Sequence, residues 1–346
     1  MNCFGLEAAG ANEYVAPGFI DIQVNGFAGV DYNNPHTTAE EIGRSIGTLF
    51  STGVTRFYPT VITGAPEAMR DSLRNLAHAR EVLPDGEAIA GFHVEGPHIS
   101  PDDGPRGAHP RRWVRSPDLD EYRGWQDASG GMVRIVTLAP EWPGAAQYIE
   151  KIVADGVVAA IGHTQANGAQ IADAVAAGAT LSTHLGNGAH AVLSRHPNYI
   201  WDQLAEDRLM ASFIVDGIHL GASFLKAALR AKGIDRAVLV TDAATPAAAT
   251  PGRYRLGGQE VDYTADGRVV LAGQDRLAGS ALRMDRGIEN LVRLTGLSLA
   301  EAVAMATTNP ARAGRLPETA GDRVRFRFEN QRLEVTATWI SGRRVF

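Results

Sequence analysis

Short, uninterrupted apolar runs alternate along this chain with longer segments whose apolar residues recur every three to four positions. Eight of the runs read FIDIQVN, TRFYPTVI, AIAGFHVE, VRIVTLAP, VVAAIGHT, TLSTHLGN, ASFIVDG and AVLVTDA. A strand covered by helices on both faces has no solvent side to keep polar, so it reads as a continuous apolar stretch. Between the runs, segments 38–50, 66–82, 145–154, 169–177 and 222–231 carry the helical period, several closed by glycine, which readily takes the left-handed turn that ends a helix. The order strand, helix, strand predicts a parallel sheet, and eight such units predict closure into a TIM-like (β/α)8 barrel. No Gly-x-Gly-x-x-Gly follows the first run, which weakens the alternative of a doubly wound dinucleotide-binding sheet.

The pattern changes towards the C-terminus. From Asp322 the chain reads DRVRFRFENQRLEVTATWISGRRVF, with apolar and polar residues alternating on either side of a turn-like Glu-Asn, as in a half-buried antiparallel hairpin. Residues 253–271 look similar, with an Ala-Asp-Gly turn, and the alanine-rich stretch 243–250 reads as an active-site loop. The expected organisation is a barrel over residues 17–314 and a small, reduced β-subdomain from residues 1–16 and 315–346, the first sixteen residues contributing little.

The chemistry sits where the apolar runs stop. Glu95, His163, His184, His219 and Asp242 each lie at or just beyond the end of a run, the position from which a barrel builds its catalytic mouth. His163 and His184 end successive strands and should be neighbours on the rim. Two imidazoles suit zinc or iron, and a carboxylate such as Glu95 is a compatible third ligand that leaves a position open for water. Any one histidine could instead meet a backbone carbonyl; several suitable groups on adjacent strand ends favour a shared ion. Asp242 could take a proton from water and return it to a leaving amine, or simply cap the following helix. His219 could polarise a carbonyl oxygen, or lie in a surface loop. Together these residues predict hydrolysis at a bound metal.

Composition narrows the class. A chain of 346 residues, 45% of them apolar, can bury one large core. A net charge of −6 and a pI near 5.9 argue against a nucleic-acid or membrane-surface partner, either of which needs a concentrated basic face. A single cysteine, Cys3, cannot form an internal disulfide. The first residues also lack a basic start followed by an apolar segment. A cytoplasmic, unexported protein is expected.

The segments PGFIDIQVNG, HVEGPHISP, GAHP, IGHTQA, THLGNGAH, IVDGIHL, LVTDAATP, LAGSAL and ATTNPAR, in that order from Pro17 to Arg312, resemble those of the N-acetylglucosamine-6-phosphate deacetylases of the amidohydrolase superfamily. The resemblance implies a distorted (β/α)8 barrel of the amidohydrolase type, a divalent metal, an amino-sugar substrate and a homodimer. It implies Glu95, His163 and His184 as ligands of the metal, zinc or else iron or another divalent ion. It further implies Asp242 as the catalytic acid-base, His219 as the substrate-orienting histidine, and His109 and Asn187 as contacts to the sugar or its phosphate. Superfamily members with two metals carry His-x-His at the end of the first strand; Gln23 and Asn25 stand there in this chain, so one ion per subunit is expected. His93, on the same strand face as Glu95, is read as barrel interior or support for the ligands.

Three features depart from the family pattern. The loop 184–190 has glycines at 186 and 188 in place of bulkier residues, and Asn187 and Gly188 lie where the phosphate end of the substrate would bind. Arg195 falls where the family places a phosphate-binding arginine, often contributed by the neighbouring subunit, but His196-Pro-Asn-Tyr follows it. His98 and the lengthened loop 102–106 would also reshape the pocket. Alternative readings are therefore a different or unphosphorylated N-acyl amino sugar, such as N-acetylgalactosamine 6-phosphate, hydrolysis of a cyclic amide, or a sugar-binding homologue without catalysis.

Overall fold

The computed structural model describes residues 5–317 and 321–346; Cys3 lies outside the described residues. Eight parallel strands form the central sheet: Phe19–Val24, Val54–Ile62, Phe92–Glu95, Val133–Leu138, Val158–Ile161, Leu181–Ser182, Met210–Ile214 and Ala237–Val240. Each pairs with the next, and a parallel bridge between Val24 and Ala243 joins the last strand's end to the first, so the sheet curls into the expected barrel. All eight apolar runs are strands. Most of their residues are buried, because the barrel interior takes one face and helices the other.

The helices form for local reasons and stay for packing reasons. In Ala39–Phe50, Thr38 accepts from the Glu41 amide while the Glu41 side chain reaches back to the Thr38 amide, a capping box contributing about 1 kcal/mol. Ile42, Ile46, Leu49 and Phe50 then fall on one stripe and are buried, each contributing roughly 1.5–3 kcal/mol. Pro66–Val82 starts with proline in its first turn, where the missing N–H costs nothing. Leu119–Ser129 and Met284–Thr295, not among the segments singled out by their period, also pack on the barrel and bury Trp125 and Ile288.

Among the described residues, two further sheets of three or more strands flank the barrel. Arg323–Glu329 and Arg332–Ile340 form the expected hairpin, turning at Asn330 and Gln331, both with positive φ as a tight two-residue turn requires. This hairpin is extended by Arg343–Arg344 on one side and by Glu13–Pro17 and Glu7–Gly10 on the other. The expectation that the first sixteen residues contribute little is therefore corrected: they supply most of two of the five strands, and Ala16 is buried against the core. The third sheet, Gly252–Leu256, Gln259–Tyr263 and Val269–Leu271, lies over the barrel mouth. Its apolar side, Leu256, Val261 and Val269, packs with Ala244 and Ala278 and against Ile62.

Candidate metal centre and active site

Parallel strands all end at the same rim of the barrel. Glu95 is the last residue of its strand, whereas His163, His184 and Asp242 each stand two residues past theirs. These last three share one unusual property: positive φ, at 51°, 29° and 49°. A side chain with a Cβ disfavours that region by about 1–3 kcal/mol, and it persists only where the surroundings enforce it. Here the left-handed step ends the strand and turns each side chain into the mouth.

Glu95, His163 and His184 meet there as one buried cluster. Nε2 of His184 is 2.8 Å from Glu95 Oε1, Nε2 of His163 is 3.3 Å from the same oxygen, and the two nitrogens are 3.1 Å apart. His163 Nδ1 lies 2.7 Å from the Pro105 carbonyl, to which it can only donate, so Nε2 is the nitrogen left to face Glu95 and His184. Two imidazole nitrogens and a carboxylate oxygen thus face one point, an arrangement that can hold a metal ion. Ligands at about 2.1 Å from a tetrahedral zinc lie roughly 3.4 Å apart, so these donors fit such an ion with small outward adjustments. Electrostatics agree. Burial alone would raise the Glu95 carboxyl, but its hydrogen bonds to His163 and His184 outweigh burial and hold it well below its ordinary range. Burial likewise pushes His184 down, and Glu95 more than compensates, leaving it raised.

Asp242 adjoins this cluster. Gln23 Nε2 donates to both Glu95 Oε1 (2.9 Å) and Asp242 Oδ1 (3.2 Å), and Asn25 Nδ2 donates to Asp242 Oδ1 (2.7 Å). Amide N–H groups from the first strand thus face both carboxylates. Burial, then the charge of Glu95, pushes the Asp242 carboxyl up to about 6. His93 spends its ring nitrogens on the Ile22 carbonyl (3.1 Å) and Thr137 Oγ1 (2.7 Å), and belongs to the barrel interior; burial pushes it down to about 4.

His219 lines the same mouth, with Nδ1 2.6 Å from Asp216 Oδ2. Asp216 also accepts from the backbone amides of Ile218 and His219. Burial would raise its carboxyl, yet the His219 hydrogen bond and charge outweigh that and lower it. Asp216 was not singled out in the sequence, although a carboxylate three residues before the histidine was a legible signal. His109 is buried beside His163, its Nδ1 2.8 Å from Thr63 Oγ1; burial, then the neighbouring His163, pushes it down to about 3. Asn187 lines the cavity, and so does Gly188, whose backbone lies against the His163 ring. Arg195 is exposed and does not line the cavity of its own chain.

The cavity measures about 570 Å³. Its roof comes from the third sheet and the segment after it: Leu256, Gln259, Val261, Leu271 and Arg276 all face it, and none of them stood out in the sequence. A second cavity of about 530 Å³ lies behind Ile62 around Asp31 and Asn33, with none of the metal-binding donors facing it.

The amidohydrolase family profile matches residues 14–322. The chain is similar to the N-acetylglucosamine-6-phosphate deacetylase of Bacillus subtilis (strain 168), with 34% identity over 307 residues, 88% of this chain and 76% of that one. To the human protein of the same name it is 35% identical over 352 residues, covering 96% and 83%. Among solved structures, N-acetyl-D-glucosamine-6-phosphate deacetylase from Mycobacterium smegmatis superposes with a TM-score of 0.88 at 33% identity, covering 96% of this chain and 87% of that one.

Proposed function

The chain belongs to the amidohydrolase family and, within it, to the N-acetylglucosamine-6-phosphate deacetylases, and from that premise we infer that it hydrolyses the acetamide of N-acetylglucosamine 6-phosphate to acetate and glucosamine 6-phosphate. The observation that carries this reading is the convergence of Glu95, His163 and His184 beside Asp242 at the floor of a sugar-sized cavity. One divalent ion held by those three ligands, zinc being suited to two imidazoles and a carboxylate, supplies Lewis acidity towards water and the acetamide carbonyl. The Gln23 and Asn25 amides beside it support a single ion.

The remaining steps fall to this chain's own side chains. Asp242 accepts a proton from the attacking water, held for that role by Asn25 and Gln23. As the carbonyl carbon becomes tetrahedral, negative charge gathers on its oxygen. His219, oriented by Asp216 through Nδ1 and lining the same cavity, is placed to stabilise that charge. Asp242 then returns its proton to the nitrogen, since an amide anion is too basic to leave. His109 and Asn187 line the path of the sugar. The protein is taken to act in the cytoplasm as a homodimer, in which Arg195, exposed on its own chain, is free to reach the neighbour's cavity; among the described residues no helix is long and apolar enough to cross a membrane.

Acetate release from metal-loaded enzyme, with N-acetylglucosamine 6-phosphate, N-acetylgalactosamine 6-phosphate and plain N-acetylglucosamine compared side by side, tests this reading. Fastest release from the first is expected. Release from another of the three alone would reassign the substrate, and no acetate from any would remove the reading.

A further inference from the structure

The charges lining the catalytic cavity are unevenly placed. At the floor stand two carboxylates, Glu95 and Asp242; at the roof stand Asp275 and Arg276, the latter the one permanently cationic side chain lining the cavity among the described residues. Its Nη1 donates to the Gly107 carbonyl at 3.0 Å, and Gly107 packs against His163, so the guanidinium sits one residue out from a proposed metal ligand. The side chain keeps 38% of its surface exposed, and this hydrogen bond uses one of its five N–H groups. The carboxylates nearby are engaged elsewhere. Asp275 pairs with Arg268 at 3.0 Å and Asp103 pairs with Arg106, while Arg276 only approaches Asp103, at 3.6 Å. Both carboxylates thus have a shorter contact with another guanidinium, and most of the Arg276 N–H groups are left without a hydrogen bond.

We propose that Arg276 reads the anionic group of the substrate, so that within its own chain this protein selects phosphorylated over plain N-acetyl amino sugars through the roof of the cavity. The proposal rests on the deacetylase reading and names the residue behind its substrate class. A planar guanidinium with free donors matches two phosphate oxygens at once, and an ion-assisted contact of this kind corresponds to roughly 10- to 100-fold in affinity. The roof places that contact in the same subunit as the chemistry, whereas Arg195 lies outside its own cavity.

The test is binding of glucosamine 6-phosphate and of glucosamine by calorimetry to metal-loaded wild type, Arg276→Ala, Arg276→Lys and Arg195→Ala, followed by acetate release from the N-acetylated pair. Arg276→Ala should weaken glucosamine 6-phosphate about 10- to 100-fold and shrink the preference over glucosamine by the same factor, with Arg276→Lys intermediate. The proposal is overturned if Arg276→Ala keeps the wild-type preference, or if Arg195→Ala alone abolishes it. Failure to release acetate from any sugar would sink the deacetylase reading instead, and the calorimetric comparison would still decide the role of Arg276.

Discussion

Replacing Gly188 by alanine should loosen the metal without touching a ligand. Gly188 has φ +55°, and a Cβ built on it would lie 2.7 Å from His163 Nδ1 and 2.9 Å from Cε1. Ordinary van der Waals contact begins near 3.4 Å, so the ring or the loop must yield by about 0.7 Å. The ring has little room to do so, since Nδ1 is tied to the Pro105 carbonyl and its other side faces Gly107, where a Cβ would stand 3.2 Å from Cε1. Ligand distances at a metal tolerate only about 0.2 Å, so a displaced His163 should weaken zinc binding about 10- to 100-fold, the range seen when a ligand's support is removed. Part of the cost is backbone strain of about 1 kcal/mol, which Gly296→Ala isolates: Gly296 has φ +80° and nothing within 4 Å of its would-be Cβ. Zinc affinity, measured by competition with a chromophoric chelator, should fall in Gly188→Ala and stay at the wild-type value in Gly296→Ala. An unchanged affinity in a folded Gly188→Ala protein, or an equal loss in both variants, would show that the Gly188 backbone does not hold His163 in place.

Three further outcomes follow from the site and the core. Asp242→Asn keeps its contact with Asn25 but cannot carry a proton, so metal content should stay at the wild-type level while acetate release disappears; substantial residual turnover would count against its role. Asp216→Asn should lower kcat about 10- to 100-fold with little change in KM, because it unsettles a group that acts as charge develops; a pure KM effect would make His219 a binding residue only. Burial pushes the Asp21 carboxyl from 3.8 up to about 7, so its contribution to stability is complete below the unfolded pKa and is lost as pH rises through about 7. That loss amounts to about 1 kcal/mol between pH 6 and pH 8. His93, His98 and His109, pushed down by burial, change stability in the opposite sense as pH falls below about 6.5, so the comparison must be the difference between wild type and Asp21→Asn in urea midpoint. A difference that stays constant across that window would show that Asp21 does not titrate there.

The barrel was legible because the physics that buries its strands also strips them of polar residues, and the site was legible because polar residues interrupt those runs at one end. The lid was harder. Residues 253–271 declare their hairpin in their alternation, but nothing local says that it docks on the barrel mouth; that depends on Leu256 and Val261 finding Ile62 and Ala244 across the fold. The N-terminal strands were underestimated for the same reason, since Glu13–Pro17 pairs with a partner more than three hundred residues away. Gln23 and Asn25 read as poor ligands from their chemistry alone, whereas their donation to Glu95 and Asp242 depends on three strands being brought together. Arg276 offered no signal at all in a chain with many arginines; only its position over the cavity distinguishes it.

We infer that one ion, gripped by Glu95, His163 and His184, enables the hydrolysis. Titrating zinc into chelator-stripped enzyme, while following both bound metal and acetate release from N-acetylglucosamine 6-phosphate, puts this to the proof. Activity should rise in step with occupancy and saturate at one ion per chain, and Glu95→Gln should remove both together. Full activity in the stripped enzyme, or activity that appears only with a second ion, would rule out a single-ion site.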